Sequence, residues 1–229
     1  MWFHELLDNQ DSPILSAETP RIPSAAIEAV LKDVLFDISS LSSHSKPEFE
    51  ASEGIPIISF SFQCHLFRDE NVPTPEEHWG DYERDNYDFL RPLSPSDLLA
   101  VQYRAMRAYP SLIRDVHFVS IAREMGLNVS RTLSMDIAGI DAVVSQGDLE
   151  RKIRLYYDSK RSRRARRAKA ISHEIEPGTV DFGLTKENSR QIGDIFLYAP
   201  DATLSFLSDL GFSIPQEGIS APSTETSSI

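Results

Sequence analysis

At 229 residues the chain can hold one sizeable α/β domain with appendages or two small domains, and an apolar content of 41% implies that part of it lies outside a packed core. Its single cysteine, Cys64, excludes an intramolecular disulfide framework and a cysteine-rich zinc site. A formal net charge of −12 argues against a surface that is basic throughout. The opening Met1-Trp-Phe-His-Glu-Leu-Leu-Asp8 lacks a basic region followed by an apolar run, and no apolar stretch is long enough to span a bilayer. The expectation is a reducing, cytoplasmic protein without a membrane partner.

In chain order, residues 1–22 hold a short apolar cluster (Trp2, Phe3, Leu6, Leu7) and a Pro/Ser-rich link. Ile27, Val30, Leu31, Val34 and Leu35 recur at helical spacing and predict a helix over 24–38, with Pro23 at its start. In 55–67, Phe60, Phe62, Cys64 and Leu66 alternate with Ser61, Gln63 and His65. This predicts a strand, with His65 on its solvent or second-layer side. Residues 68–92 carry eight acids and three prolines but few aliphatics, and read as an exposed loop. Their aromatics (Trp79, Tyr82, Tyr87, Phe89) offer a means of docking on the core or a partner. A sharper reading makes the loop a DNA mimic that covers a basic stripe further on.

Ser94-Pro-Ser-Asp97 reads as a helix start and predicts a helix to about Tyr109. After Pro110, a second helix buries Leu112, Ile113, Val116, Val119, Ile121 and Ala122, and ends at Gly126. Leu127–Met135 alternates as a strand does. Two short strands follow, 136–144 and 153–160, separated by a polar Gly/Asp turn, which is a hairpin signal. The run Arg161–Lys169 is helix-compatible through His173, until Pro177-Gly178 breaks it. Residues 179–184 and 194–198 are strand candidates, Asp201 is placed as the cap of a helix over 202–210, and the Ser/Thr/Pro-rich 213–229 reads as a disordered tail.

The hairpin carries the chemistry. Asp141 lies on its first strand, and Asp158 and Lys160 project together from the end of the second. If the register brings them level, two carboxylates make a hard, oxygen-rich site of the kind Mg²⁺ or Mn²⁺ prefers, and a neighbouring ammonium orients water or stabilises phosphate charge. Charge is also concentrated here. From Arg151 to Lys169 there are ten Lys/Arg and one acid, which leaves 13 basic and 34 acidic residues at the other 210 positions. An acidic body with one basic stripe fits a local phosphate-contacting surface, although a solvated helix face would have the same composition.

The order Gly139-Ile140-Asp141, a short hairpin and then Asp158-Ser159-Lys160 resembles the PD-(D/E)XK nuclease superfamily, the restriction-endonuclease-like proteins, over residues 110–200. The predicted elements from Leu112 match its α-β-β-β-α-β core around a mixed sheet. The resemblance implies an N-terminal extension over 1–93, a nuclease-like domain over 94–212 and a tail over 213–229. It also implies Asp141, Asp158 and Lys160 as catalytic residues, with a cation held by Asp141 and Asp158. Because the helix before the hairpin often adds an acid in this superfamily, Glu124 becomes a further candidate ligand. Arg161, Arg163, Arg164 and Arg167 would contact a DNA (or RNA) backbone, and cutting both strands calls for a homodimer, a larger complex or two nicks.

Two alternatives stand beside this reading. One is a non-catalytic nucleic-acid-binding or adaptor protein that keeps the fold. The other is an acidic interaction protein whose basic run binds an acidic partner. No phosphate-binding Gly-rich loop, nucleophile elbow or His-Glu-x-x-His motif is present.

Overall fold

The computed structural model describes residues 13–36, 41, 45–50, 54–158 and 178–215. The expectations for Lys160, the basic run Arg161–Lys169 and residues 216–229 lie outside these residues.

The architecture is mixed α/β. An N-terminal helical layer comprises α1 (Pro13–Ser16), α2 (Ser24–Leu31), α3 (Pro47–Glu50), α4 (Ile58–Asp69), α5 (Pro75–Asp85) and α6 (Tyr87–Leu90). A long helix, α7 (Pro95–Glu124), leads into the sheet strands β1 (Asn128–Ser130), β2 (Ala142–Gln146), β3 (Leu149–Tyr157) and β4 (Val180–Leu184). A short helix, α8 (Leu133–Ile137), lies between β1 and β2; a separate hairpin, β5 (Ser189–Ile192) and β6 (Ile195–Tyr198), precedes α9 (Pro200–Asp209). The sheet order is β1-β2-β3-β4. β1, β2 and β3 are antiparallel, and β4 runs parallel to β3.

Several elements differ from the sequence expectations. Residues 58–69 are helical because Ile58, Phe62 and Leu66, spaced by four, make one buried face. The alternating pattern shared Phe62 and Leu66 with this helical one, which is why it pointed to a strand. His65 is buried, not solvent-facing: its Nδ1 lies 2.5 Å from Asp81 Oδ2. Nor is 68–92 an exposed loop. Thr74 accepts from the Glu77 N–H while the Glu77 carboxylate accepts from the Thr74 N–H, a capping box that starts α5 behind Pro75. Asp81 is buried in α5; burial opposes its ionisation, but hydrogen bonds from Arg68, His65 and Arg84 outweigh this and hold its carboxyl below the usual range. Tyr82 is fully buried and donates to the Pro56 carbonyl at 3.0 Å.

Pro110 sits inside one continuous α7 rather than between two helices. It removes a single helical hydrogen bond, and the burial of Tyr109, Leu112 and Ile113 around it offsets the loss. The predicted strand 127–135 stops at Ser130 because Thr132 accepts from the Met135 N–H and starts α8. At α9 the N-cap is Ala199, without a side-chain bond, and Asp201 lies in the first turn. Helix α2 ends at Leu31, short of the predicted 38.

α7 serves two cores. Its Val101–Val116 portion packs with α2, α4 and α5 residues such as Leu31, Phe62, Leu66 and Tyr82. Phe118, Val119, Ile121 and Ala122 pack with one sheet face (Val144, Ile153, Phe182, Leu184) and with Leu207 of α9. The helical layer is also tied to the C-terminal hairpin. The Asp194 N–H donates to the Val34 carbonyl, the Phe36 N–H donates to the Asp194 carboxylate, and Arg190 pairs with Glu28. Gly193, at φ +53°, lies so close to the end of α2 that a Cβ would overlap the Leu31 and Val34 carbonyl oxygens.

Candidate metal centre

Three elements converge beside the end of β2. Asp115 comes from the middle of α7, Asp136 from α8 and Asp141 from the residue just before β2. Each offers a carboxylate oxygen, and these three oxygens lie within 4.8 Å of one another. Asp141 is fixed by its backbone and its side chain together: its N–H donates to the Ile153 carbonyl at 3.0 Å, and its Oδ2 accepts from the Leu155 N–H at 2.5 Å. Asp136 is placed by the single turn of α8 that Thr132 caps.

Asp115 is only 7% exposed and takes no hydrogen bond from any described residue. Burial, and then the neighbouring Asp141, push its carboxyl well above the usual carboxylate range. Partial compensation comes from Arg131, whose Nη2 lies 3.9 Å from Asp136 Oδ1. Arg131 is 1% exposed; its Nη1 reaches Gln63 Oε1 at 3.1 Å and Thr19 Oγ1 at 3.4 Å, while its Nε has no partner. On the other side, Arg114 donates to the Phe196 carbonyl at 2.8 Å and lies 5.3 Å from the Tyr157 ring centroid. Tyr198 reaches between β3 and β4, accepting from the Tyr156 N–H and donating to the Phe182 carbonyl.

The donor set suits a hard divalent cation. Carboxylate oxygens are the ligands Mg²⁺ and Mn²⁺ prefer. A buried carboxylate without a hydrogen-bond donor, aimed at two others, gains from a cation more than any solvated acid would.

The candidates from the sequence are distributed unevenly over this site. Asp141 is in it. Asp158 is not among the three clustered acids. In the β2–β3 register Ala142 faces Ile153, so the residue one step on from Ile153, level with Asp141, is Arg154. Arg154 pairs with Asp181 at 2.7 Å. Asp158 stands four residues beyond Arg154, roughly 13 Å further along the strand direction, where its N–H donates to the Leu184 carbonyl. Glu124 is likewise outside the cluster: it accepts from both the N–H and the hydroxyl of Ser24 at 2.7 Å, at the start of α2. The helix does contribute an acid, but it is Asp115, more than two turns earlier. A carboxylate in the middle of the apolar run Leu112–Ala122 was the signal for it. Lys160, Arg161, Arg163, Arg164 and Arg167 lie outside the described residues.

Among the described residues no helix is long and apolar enough to cross a membrane. No known family, no characterised protein and no solved structure matches the chain.

Proposed function

We propose that the protein is a divalent-cation-dependent phosphodiesterase of restriction-endonuclease-like architecture acting on DNA, with its metal centre at Asp115, Asp136 and Asp141. The observation that carries this reading is the meeting of three carboxylates, one of them buried without a hydrogen bond, at the end of a mixed sheet. The strand order β1-β2-β3-β4 with β4 parallel to β3, preceded by α7, supports the architecture.

A cation held there would supply Lewis-acid polarisation of a scissile phosphate and neutralise its developing charge. The chain's own residues do the positioning. The Leu155 N–H holds one Asp141 oxygen in place. Arg131 balances part of the site's negative charge and limits how far Asp136 swings. Phe118 and Val119, one turn after Asp115 on α7, pack on the inner sheet face and so fix the helix that carries it. The Lys160–Lys169 run, which follows β3 in the sequence, is the proposed backbone contact.

The test is cleavage of supercoiled and linear DNA with Mg²⁺ or Mn²⁺, comparing wild type with Asp141→Ala and Asp115→Asn. Cleavage by the wild type that both substitutions and a chelator abolish supports the assignment. Cleavage that survives Asp141→Ala and Asp115→Asn overturns it.

One observation favours a second reading, a nucleic-acid-binding adaptor without catalysis. The β3 residues beside Asp141 are Ile153, Arg154 and Leu155, so no acid faces it across the ladder. Salt-sensitive DNA binding without cleavage, retained in Asp141→Ala, would be the outcome for such a protein.

A further inference from the structure

The sheet face turned away from α7 has a feature that the carboxylate cluster does not use. A groove of about 760 Å³ runs over it and around the β1 edge. Alternate residues of β2 and β3 line it, with Val143 opposite Lys152 and Ser145 opposite Glu150 on the neighbouring strands. The segment before α2 forms the far wall, including Arg21. Met135 also borders the groove and immediately precedes Asp136, while Val143 lies two residues beyond Asp141.

The lining is chemically mixed in a particular way. Val143 and Met135 give apolar surface, Ser145 gives a hydrogen-bonding edge, and the cations Arg21, Arg123 and Lys152 outnumber the acids Glu18 and Glu150. Arg21 is exposed and forms no ion pair with a described residue. The acid nearest to it in sequence, Glu18, is already engaged by Ser130, by the Arg131 N–H and by Arg123 at 3.8 Å. Arg123 in turn is occupied by the carbonyls of Thr19, Pro20 and Val129. An anion with an apolar face and hydrogen-bonding edges fits this lining, and a nucleotide has all three. The volume is that of a small-molecule site, which admits a short stretch of one strand and not a duplex.

We propose that this groove holds a single strand of nucleic acid, with Arg21 and Lys152 on its phosphates. The proposal rests on the phosphodiesterase reading for its class of ligand, but its test does not need cleavage.

The experiment is fluorescence anisotropy of a short labelled single-stranded oligodeoxynucleotide against the full chain in chelator, over a series of salt concentrations. The variants are Arg21→Glu with Lys152→Glu and, as a control of equal charge change at exposed sites away from the groove, Lys32→Glu with Lys186→Glu. Loss of two phosphate contacts lowers the slope of log K against log salt by about 1.4, at roughly 0.7 per contact for a single strand. The groove pair is expected to show that change together with an affinity loss of about tenfold or more, and the control pair to keep the wild-type slope. An unchanged slope in the groove pair, an equal loss in the control pair, or no binding by the wild type overturns the proposal. Because the chelator removes catalysis from the measurement, a protein that binds this way and never cleaves overturns the phosphodiesterase reading alone.

Discussion

Replacing Asp115 with asparagine should make the metal-free protein more stable and deprive it of its response to metal. The carboxylate sits with two others whose oxygens lie within 4.8 Å. At an effective dielectric constant near 20, one such pair of charges repels by about 3 kcal/mol. Arg131, 3.9 Å from Asp136, offsets part of this, and uptake of a proton by Asp115 relieves the rest at the cost of drawing that proton from neutral solution. Asparagine keeps the shape and avoids both costs, so the expected gain is about 2 kcal/mol. For a chain of this size that is roughly 4–8 °C in Tm. The assay is thermal and urea unfolding in chelator and again with Mg²⁺ or Mn²⁺. The wild type should gain about 2.7 kcal/mol at a hundredfold excess of metal over Kd, and Asp115→Asn should gain little. A variant that is less stable than wild type in chelator, yet responds equally to metal, would refute the reasoning.

Three further outcomes follow from buried groups elsewhere. Arg131→Met leaves Gln63 and Asp136 without their cation in a site that is 1% exposed, and should cost about 3–5 kcal/mol in urea unfolding. His78 is kept neutral by burial, its pKa pushed down to about 4. The unfolded chain therefore binds a proton between about pH 6.5 and 4 that the folded chain refuses, and stability should fall by about 3 kcal/mol as pH drops through that window. His117, depressed to a similar value by burial, adds a like slope, so His78→Leu should remove one of two equal contributions to the pH dependence of urea midpoints. Gly193→Ala combines positive φ with a Cβ that meets two carbonyl oxygens; it should cost about 2–3 kcal/mol, read from the denaturation midpoint.

What the sequence made legible was the region whose signals are local. The hairpin's existence was legible but not its bounds: strands expected over 136–144 and 153–160 lie at Ala142–Gln146 and Leu149–Tyr157, residues 133–137 are helical, and most of the expected polar turn is paired strand. β4 and the stop at Gly126, a glycine at φ +83°, have short-range causes. Asp141 stood out because a carboxylate in an apolar strand needs a reason. The misreadings came where distant partners decided the outcome. Gln63 and His65 look like a solvent-facing row until Arg131 and Asp81 are known to be waiting for them. The acids of 75–85 look like loop composition, yet Glu77 is a cap, and Asp81 pairs with Arg68 and Arg84 and is hydrogen-bonded to His65. Pairing Asp141 with Asp158 required a register that no spacing rule supplies, and the ladder sets Arg154 there instead.

The clasp between the helical layer and the β5–β6 hairpin has a consequence for biosynthesis. The Phe36 N–H finds its acceptor on Asp194, 158 residues later, and Glu28 finds Arg190 after 162. On a ribosome adding about 5–20 residues per second, α2 therefore waits roughly 10–30 s for its last partners to be made. During that interval Ile27 and Leu31, both fully buried in the finished protein, have Val101–Val116 of α7 to pack on but lack the hairpin that closes over their far side. Nascent chains stalled before residue 190 should thus be far richer in chaperone contacts than chains stalled after 200. Most of the helical layer is written early, yet it is completed only when nearly the whole message has been read.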